Sequence, residues 1–204
     1  MFDGSCITDV DELANWKTDN VQQMYGMFSN ATNLADIDGL ANWNTGNVQT
    51  MSSMFYSTAI TNVDALADWD TGNVLHMNYM FQNASNLTDI SGLSGWNTSS
   101  ATTMESMFQN ATSIQNINAL SNWNTGNVTN MGSMFYGATA LTDISGASGW
   151  NVSNVEYLSY MFANDYLITY LKTLDGWDTS SVIEKGNMFQ NIPDSVQRPI
   201  WWNL

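Results

Sequence analysis

The amino-acid sequence predicts an α/β repeat solenoid, with short parallel strands on one face and short helices on the other. Three observations predict this fold class. Tryptophan recurs at a nearly constant interval, the same motif follows each tryptophan, and apolar residues hold fixed places within each motif. Self-similarity at a period of about 20 to 50 residues is typical of stacked arrays.

The tryptophans are separated by 27, 26, 27, 27, 27 and 27 residues, and motifs such as "WNTGNVQTMSSMF" and "WDTGNVLHMNYMF" follow them. The period therefore predicts about seven rungs of 27 residues, forming a single solenoid domain over residues 1–190, with residues 191–204 as a C-terminal cap. The repeating tryptophans are Trp16, Trp43, Trp69, Trp96, Trp123, Trp150 and Trp177.

Each motif predicts a helix of about two to three turns, because Val48, Met51, Met54 and Phe55 fall on one helical face. Asn47 stands immediately before this helix, where its side chain is expected to cap the first free amides. The same capping place is held in the other units by Asn20, Asn73, Ser100, Asn127, Asn154 and Ser181.

A short extended segment and a bend are predicted after each helix. In "LTDISGL", Leu87, Ile90 and Leu93 are apolar at every third residue and lead to Trp96. Stacked in parallel, such segments pair from rung to rung at about 4.8 Å, and we expect the wider helices to lie on the convex side. Neighbouring tryptophans are then expected to stack into a ladder that sets the register, although an exposed aromatic stripe that binds sugars is an alternative.

The two ends of the array differ in sequence. Lys185 occupies a place that is methionine or leucine in the other rungs, so we expect solvent beyond it. Pro193 and Pro199 interrupt the period, which leaves Trp201 and Trp202 free to fold over the last rung.

The first residues predict an open end instead. Met1 and Phe2 align with the "MF" pair of every later rung, so the sequence begins in the middle of a coil. Repeat arrays need polar capping units for solubility. We therefore expect that the chain either was cut from a longer array or docks this end against another subunit.

Composition excludes several classes of partner. The 204 residues carry nineteen acidic and four basic side chains, for a net charge of −15, which disfavours nucleic acids and anionic lipid surfaces. The sequence has neither a run of eighteen apolar residues nor an N-terminal export signal, so we expect no membrane insertion by this segment. The single cysteine, Cys6, excludes an intrachain disulfide and is expected to be a small buried hydrophobe, with pairing between chains as the alternative.

Units of the form "WNTGNVTNMGSMFYGATALTDIS" resemble the BspA-like leucine-rich-repeat surface protein family, known from bacterial surface proteins, mycoplasma lipoprotein repeats and some protist surface proteins. The resemblance covers roughly residues 1–190. It implies a leucine-rich-repeat-like solenoid displayed outside the cell or at its surface, with adhesion or binding of host proteins as its role. It implies no enzymatic activity.

The residues themselves predict no catalytic, cofactor or metal site. His76, the one histidine, is expected to lie far along the array from Cys6, so the two are not expected to form a nucleophile and base pair. Cys and His spacing typical of metal sites is also absent. We therefore expect a protein that is not an enzyme and that carries no cofactor.

Two polar rows have alternative interpretations. Acids recur at Asp36, Asp64, Asp89 and Asp143, with Asn116 interrupting; a calcium ladder is conceivable, but a solvated or turn-capping row fits better, since each rung offers too few oxygens. A threonine row is interpreted as closing the turn before each helix through bonds to the backbone, rather than as an ice-binding surface. It comprises Thr18, Thr45, Thr71, Thr98, Thr125 and Thr179, with Val152 interrupting.

The candidate binding surface is a set of tyrosines on the outer side of the predicted helices, where the sequence varies between rungs. Tyrosine is favoured at recognition surfaces because it offers a large contact area and a hydroxyl at little entropy cost; shielding of helix edges, or binding by the strand face, are the alternatives. The set comprises Tyr25, Tyr56, Tyr79, Tyr136, Tyr157 and Tyr160.

We expect a non-enzymatic extracellular or cell-surface recognition or adhesion module whose partner is a protein or glycan on another cell or in the matrix. The alternative is a structural subunit that self-associates head to tail into extracellular fibres through its uncapped N-terminal rung. Asn-x-Ser/Thr sequons, such as those at Asn86 and Asn127, are possible glycosylation sites only in a cell that makes such glycans.

Overall fold

The computed structural model describes residues 1–203, and over this range the chain forms a repeat solenoid. Each rung ends at one of the repeating tryptophans, and equivalent residues of successive rungs stack into columns that run along the molecule. We number the complete rungs from residues 17–43 (the first) to 151–177 (the sixth), followed by residues 178–203. The expected repeat solenoid is confirmed, but its local structure differs from the prediction.

Short 3-10 helices are the only regular helices in the described residues, and one precedes each tryptophan. They replace the extended segments predicted there. In each, the backbone amide that follows the helix bonds back to its first carbonyl, as when Ser94 bonds to Ser91. Their bounds are Asp11–Leu13, Asp38–Leu40, Asp64–Leu66, Ser91–Leu93, Asn118–Leu120, Ser145–Ala147 and Lys172–Leu174.

Parallel pairing between rungs is present, but as single bridges rather than as strands. Two of the bridges, Asn62 to Asp89 and Asn116 to Asp143, lie just before 3-10 helices. All the others belong to one column, the main bridge column, which runs through the segments that the sequence predicted to be helical. Its successive members are Gln23, Thr50, His76, Thr103, Asn130, Tyr157 and Glu184.

The predicted two-turn helices are absent, and the backbone of the second rung shows why. The amide of Met51 donates to the carbonyl of His76 in the next rung (3.0 Å), and the amide of Phe55 donates to that of Met80 (2.9 Å). Between them, Ser53 has a left-handed φ of 56°, which breaks a right-handed helix. Bonds to the neighbouring rung thus replace bonds along a helix, and the helix prediction is wrong.

The side chains predicted as helix caps bond between rungs instead. Asn47 donates through Nδ2 to the carbonyl of Asp19 (2.7 Å), and Asn127 donates to that of Ser99 (2.7 Å). Ser100 makes the corresponding bond through its hydroxyl. These residues satisfy backbone carbonyls of the preceding rung.

The interior contains columns of stacked aromatic rings, as the tryptophan spacing predicted. Phe81, Phe108 and Phe135 are fully buried, with successive ring centroids 5.5 Å apart. Trp123 and Trp150 stack at 6.5 Å, and the repeating tryptophans from Trp43 onward are only 3 to 4% exposed. The predicted ladder is confirmed, and the exposed stripe is excluded.

Each repeating indole from Trp43 to Trp177 is also hydrogen-bonded across rungs. Trp96 Nε1 donates to the carbonyl of Leu66 (2.9 Å), and Trp123 Nε1 donates to that of Leu93 (3.0 Å). A buried indole N–H needs an acceptor, and the carbonyl at the end of the preceding 3-10 helix supplies it. The tryptophan column thereby fixes both the spacing and the register of the rungs.

The threonine column makes backbone bonds, but to the next rung. Thr45, Thr71 and Thr98 each donate from Oγ1 to a carbonyl 25 or 26 residues later, at 3.0 Å. The expected bond type is confirmed, whereas the expected closure of the local turn is wrong. The hydroxyl of Thr18 is buried without a partner.

Residues after the last complete rung cover its indole. Trp201 stacks on Trp177 with centroids 6.1 Å apart, and its Nε1 donates to the carbonyl of Leu174 (2.7 Å). Lys185 is half-buried; its Nζ donates to the carbonyl of Trp201 (3.2 Å) and lies 5.7 Å from the ring centroids of Trp201 and Trp202. The charge that the sequence placed on a core column is thus satisfied by a carbonyl and two aromatic rings.

Candidate recognition surface

The six candidate tyrosines lie on the segments that pair between rungs. In each rung this stretch begins at the main bridge column and ends one residue after the phenylalanine of the core. We call this surface the tyrosine face; it is defined by Tyr25, Tyr56, Tyr79, Tyr136, Tyr157 and Tyr160. Because the predicted helices are absent, its rings project from extended and turn backbone. Tyr25 is the most exposed, at 69%, and Tyr157 and Tyr160 follow at 39% and 38%.

Tyr25 and Tyr56 line one cleft near the start of the molecule. The cleft has a volume of about 370 Å³ and is also lined by Met1, Asp3, Gly26, Ser29 and Ser53. Asn30 orients the carboxylate of Asp3, because its Nδ2 donates to Asp3 Oδ1 (3.1 Å). The same amide nitrogen donates to the Ser29 hydroxyl (3.1 Å). Two phenol rings therefore border a pocket whose carboxylate and hydroxyl are already fixed in place.

Tyr136 and Tyr160 form a second group in the fifth and sixth rungs. Their ring centroids are 6.3 Å apart and the rings meet edge to face, an arrangement favoured by the aromatic quadrupole. Asn187 donates from Nδ2 to the hydroxyl of Tyr160 (2.9 Å). These contacts hold both rings in fixed orientations.

Tyr79 belongs to a third group with Glu105 and Asn130. Burial raises the pKa of Tyr79, and the hydrogen bond and negative charge of Glu105 raise it further. Asn130 also bonds to the carboxylate of Glu105, with Nδ2 donating to Oε2 (3.2 Å). Tyr79 remains a neutral hydrogen-bond donor at physiological pH.

Tyr79 and Tyr160 also share an uncommon backbone conformation. Their φ angles are 61° and 59°, a region that costs free energy for a bulky side chain. Gly26, Ser53 and Ser133 hold the same column with similar angles. The fold therefore imposes this conformation at every rung, and it aims the two rings outward.

The structure exposes a further group of large hydrophobic side chains that sequence reasoning missed. Tyr166, Leu167 and Tyr170 are 50%, 50% and 63% exposed, outside the tyrosine face. In the preceding rung the equivalent residues include Thr139 and Asp143. A comparison of each column with its neighbours would have found this break, because only the sixth rung places large rings there.

The acidic row caps the 3-10 helices. Asp89 Oδ1 accepts the backbone amide of Ser91 (2.8 Å) and Asp143 Oδ1 accepts that of Ser145 (2.9 Å). These bonds lower the pKa of both carboxyl groups. The turn-capping interpretation is confirmed for these residues and for Asp36, which caps in the same way.

Asp64 does not belong to this row, contrary to the sequence alignment. The capping place in its rung is held by Asn62, whose Oδ1 accepts the amide of Asp64 (3.2 Å). The second rung is one residue shorter than the others, which shifted the alignment. Among residues 1–203, no cluster of three or more His, Cys, Asp or Glu side chains is arranged to hold a metal ion.

Cys6 and His76 are not brought together. His76 lies in the bridge column, whereas Cys6 lines a cleft of about 310 Å³ at the start of the chain with Phe2, Ile7 and Leu13. Cys6 is exposed, so the expectation of a buried hydrophobe is wrong. Over the described range, no helix has the length and apolar character needed to cross a membrane.

Comparisons with known proteins identify a family without an assigned activity. An internalin from Listeria monocytogenes shows a weak structural likeness, with 13% identity over 72% of this chain and a TM-score of 0.19, too low to support an argument; the match spans 63% of that internalin. No curated protein matches the sequence. The family described as "Mycoplasma protein of unknown function, DUF285" matches residues 1–117 and 85–202, and the chain belongs to that family.

Proposed function

We propose that this chain is a non-enzymatic recognition or adhesion module that acts outside the cell or at its surface. Its tyrosine face binds a protein or a glycan on another cell or in the matrix. The extracellular location follows from the resemblance to BspA-like surface repeats.

The observation that carries the proposal is the contrast between repeated interior columns and a varied outer surface. Met77, Met104 and Met131 occupy one buried column, while the next residues along the chain, Asn78, Glu105 and Gly132, are partly exposed and differ from rung to rung. A rigid scaffold can change such outer residues without loss of its core, which is how binding surfaces are built on stable elements.

Charge restricts the partner. The net charge of −15 repels polyanions at long range and favours neutral or basic surfaces. The four basic residues are too few to neutralise a phosphate backbone. The proposed partners are therefore proteins and glycans, and not nucleic acids.

Adhesion of the purified chain to host cells and to immobilised matrix tests this proposal. Replacement of all six tyrosines of the tyrosine face by alanine should abolish adhesion. The matched control replaces Tyr166 and Tyr170, which are exposed elsewhere, and should adhere like the wild type. Thermal unfolding of both variants confirms that the core is intact. Undiminished adhesion by the folded six-alanine variant would contradict the proposal.

A second candidate function is head-to-tail assembly into fibres. Trp16 is 40% exposed at the first coil, and Ile7 lies half-buried in the cleft beside it. Asp9 and Glu12 line that cleft, while Lys172 and Arg198 lie toward the opposite end. Residues 172–204 carry four acidic and three basic side chains, so the exposed apolar groups of the first coil, rather than charge, favour contact between heads and tails.

Sedimentation velocity distinguishes the two candidates. Fibre assembly predicts species that grow with protein concentration and disappear in Ile7→Glu. A monomer at all concentrations excludes assembly and leaves the recognition module unaffected.

A further inference from the structure

We infer that the cleft between Tyr25 and Tyr56 binds a neutral saccharide. The inference rests on the proposed recognition function and names the ligand class for one part of the tyrosine face. The volume of the cleft, about 370 Å³, falls in the range of about 300–1,000 Å³ typical of small-ligand sites.

The lining matches the two chemically different parts of a sugar ring. A pyranose has a face of C–H groups, which packs on an aromatic ring, and an edge of hydroxyls, which both donate and accept hydrogen bonds. Tyr25 presents a ring that is 69% exposed, and Tyr56 borders the same cleft from the next rung. Asp3, Ser29 and Ser53 supply acceptors and donors beside these rings.

The polar groups are held in place before any ligand arrives. Asn30 Nδ2 donates both to Asp3 Oδ1 and to Ser29 Oγ, at 3.1 Å each. The second oxygen of Asp3 and the hydroxyl proton of Ser29 remain available for sugar hydroxyls. Preorganised groups lower the entropy cost of binding, which matters for a weakly bound saccharide.

Charge selects a neutral sugar over an acidic one. The lining contains the carboxylate of Asp3 and no lysine or arginine, in a molecule of net charge −15. A sialic acid, a uronic acid or a sulfated sugar would bring a second negative charge close to Asp3 without a partner, which is unfavourable.

An extended peptide is a poorer match for the same cleft. Peptides commonly add as a strand to free backbone groups, but the backbone amides here are already used. Gly26, Phe28 and Asn30 donate to the carbonyls of the next rung at 2.8 to 3.0 Å. The cleft therefore offers side chains rather than a backbone edge.

The test measures binding of methyl glycosides of glucose, galactose, mannose and N-acetylglucosamine, with N-acetylneuraminic and glucuronic acids for comparison, by saturation-transfer NMR and calorimetry. At least one neutral glycoside should bind, and the acids should not. Tyr25→Ala and Asp3→Asn should each weaken binding roughly tenfold or more. The matched control Tyr170→Ala, an exposed tyrosine elsewhere, should bind like the wild type.

Three results overturn the inference. These are no binding of any neutral glycoside at millimolar concentration, equal binding of the acids, and unchanged affinity in Tyr25→Ala. Adhesion that survives Tyr25→Ala and glycosidase treatment of the cells, but is lost in the six-alanine variant, would reject the saccharide site while leaving the proposed function in place. Adhesion that survives in Tyr25→Ala, after glycosidase treatment and in the six-alanine variant would reject both the saccharide site and the proposed function.

Discussion

The fifth and sixth rungs, residues 124–150 and 151–177, share an interior but differ in three surrounding columns. Phe135 and Phe162 are both fully buried and stack at 5.5 Å. Outside this shared column, the sixth rung has Val152 in the threonine column, Asp165 where the fifth has Ala138, and Thr173 where the fifth has Gly146.

The comparison shows which contacts hold a rung in register. The sixth rung lacks a threonine bond and accepts an acid in its interior, yet its indole still donates to the preceding rung, from Trp177 Nε1 to the carbonyl of Ala147 (2.9 Å). The sixth rung therefore keeps its register without the threonine bond, through its indole and its backbone bonds to the neighbouring rungs. The predictions below measure the cost of each difference.

The largest expected effect is a pH dependence caused by Asp165. Its side chain is fully buried, neither carboxylate oxygen has a hydrogen-bond partner, and burial raises its pKa to about 8 from an ordinary 3.8. The folded chain therefore keeps a proton that the unfolded chain has lost between pH 3.8 and 8. Stability should fall as pH rises through this window, by on the order of 5 kcal/mol.

Asp165→Ala restores the residue of the fifth rung and should remove this dependence. In chemical unfolding from pH 4 to pH 9, the free energy of unfolding of the variant should exceed that of the wild type by an amount that grows with pH. Asp165→Asn, which keeps the shape but does not titrate, should lose the same dependence while remaining less stable than Asp165→Ala. Parallel pH profiles for wild type and both variants would show that Asp165 does not titrate in this way.

The shared aromatic column predicts nearly equal losses in the two rungs. Phe135→Ala and Phe162→Ala should each lower the free energy of unfolding by about 3–5 kcal/mol, because each leaves a cavity between two stacked rings. Urea denaturation measures both. The exposed control Tyr166→Ala should cost little. A much smaller loss for Phe162→Ala would mean that the sixth rung is not held by this column.

Gly146 tests how closely the fifth rung approaches the fourth. A Cβ on Gly146 would clash with the backbone carbonyl oxygen of Ile117, so Gly146→Ala requires the backbone to move. We expect a loss of about 1–3 kcal/mol. Gly176→Ala in the sixth rung, where nothing lies within 4 Å of the added Cβ, is the matched control and should be close to neutral. Equal melting temperatures for the two variants would contradict the close approach.

The smallest expected effects come from the threonine column. Thr125→Val removes a bond of 2.9 Å to the carbonyl of Asn151 and should cost about 1 kcal/mol. The hydroxyl of Thr18 has no partner, so Thr18→Val should cost nothing or stabilise slightly. Val152→Thr should restore the bond in the sixth rung and recover up to about 1 kcal/mol. Calorimetric melting checks all three, and a cost for Thr18→Val equal to that for Thr125→Val would contradict the assignment.

Part of the candidate site was predictable from sequence. The six tyrosines were found because they interrupt a repeated pattern at outward places. Their division into a cleft at Tyr25 and Tyr56 and an edge-to-face pair at Tyr136 and Tyr160 was not, since it depends on which columns are adjacent in space. The contribution of Asp3 was also missed, because the bond that orients it comes from Asn30, one rung away.

The sequence by itself determined the repeat period, most of the residues that face inward and the stacking of the tryptophans, since these follow from a tryptophan interval of 26 or 27 residues. Only the tertiary structure decided the backbone within a rung. A helix predicted around Met51 would satisfy its backbone amides locally. In the stack, the amide of Met51 instead bonds to the carbonyl of His76, which is distant in sequence but adjacent in space. Pairing between rungs satisfies the same donors while keeping the aromatic columns in contact, and this long-range gain overrides the local helical pattern.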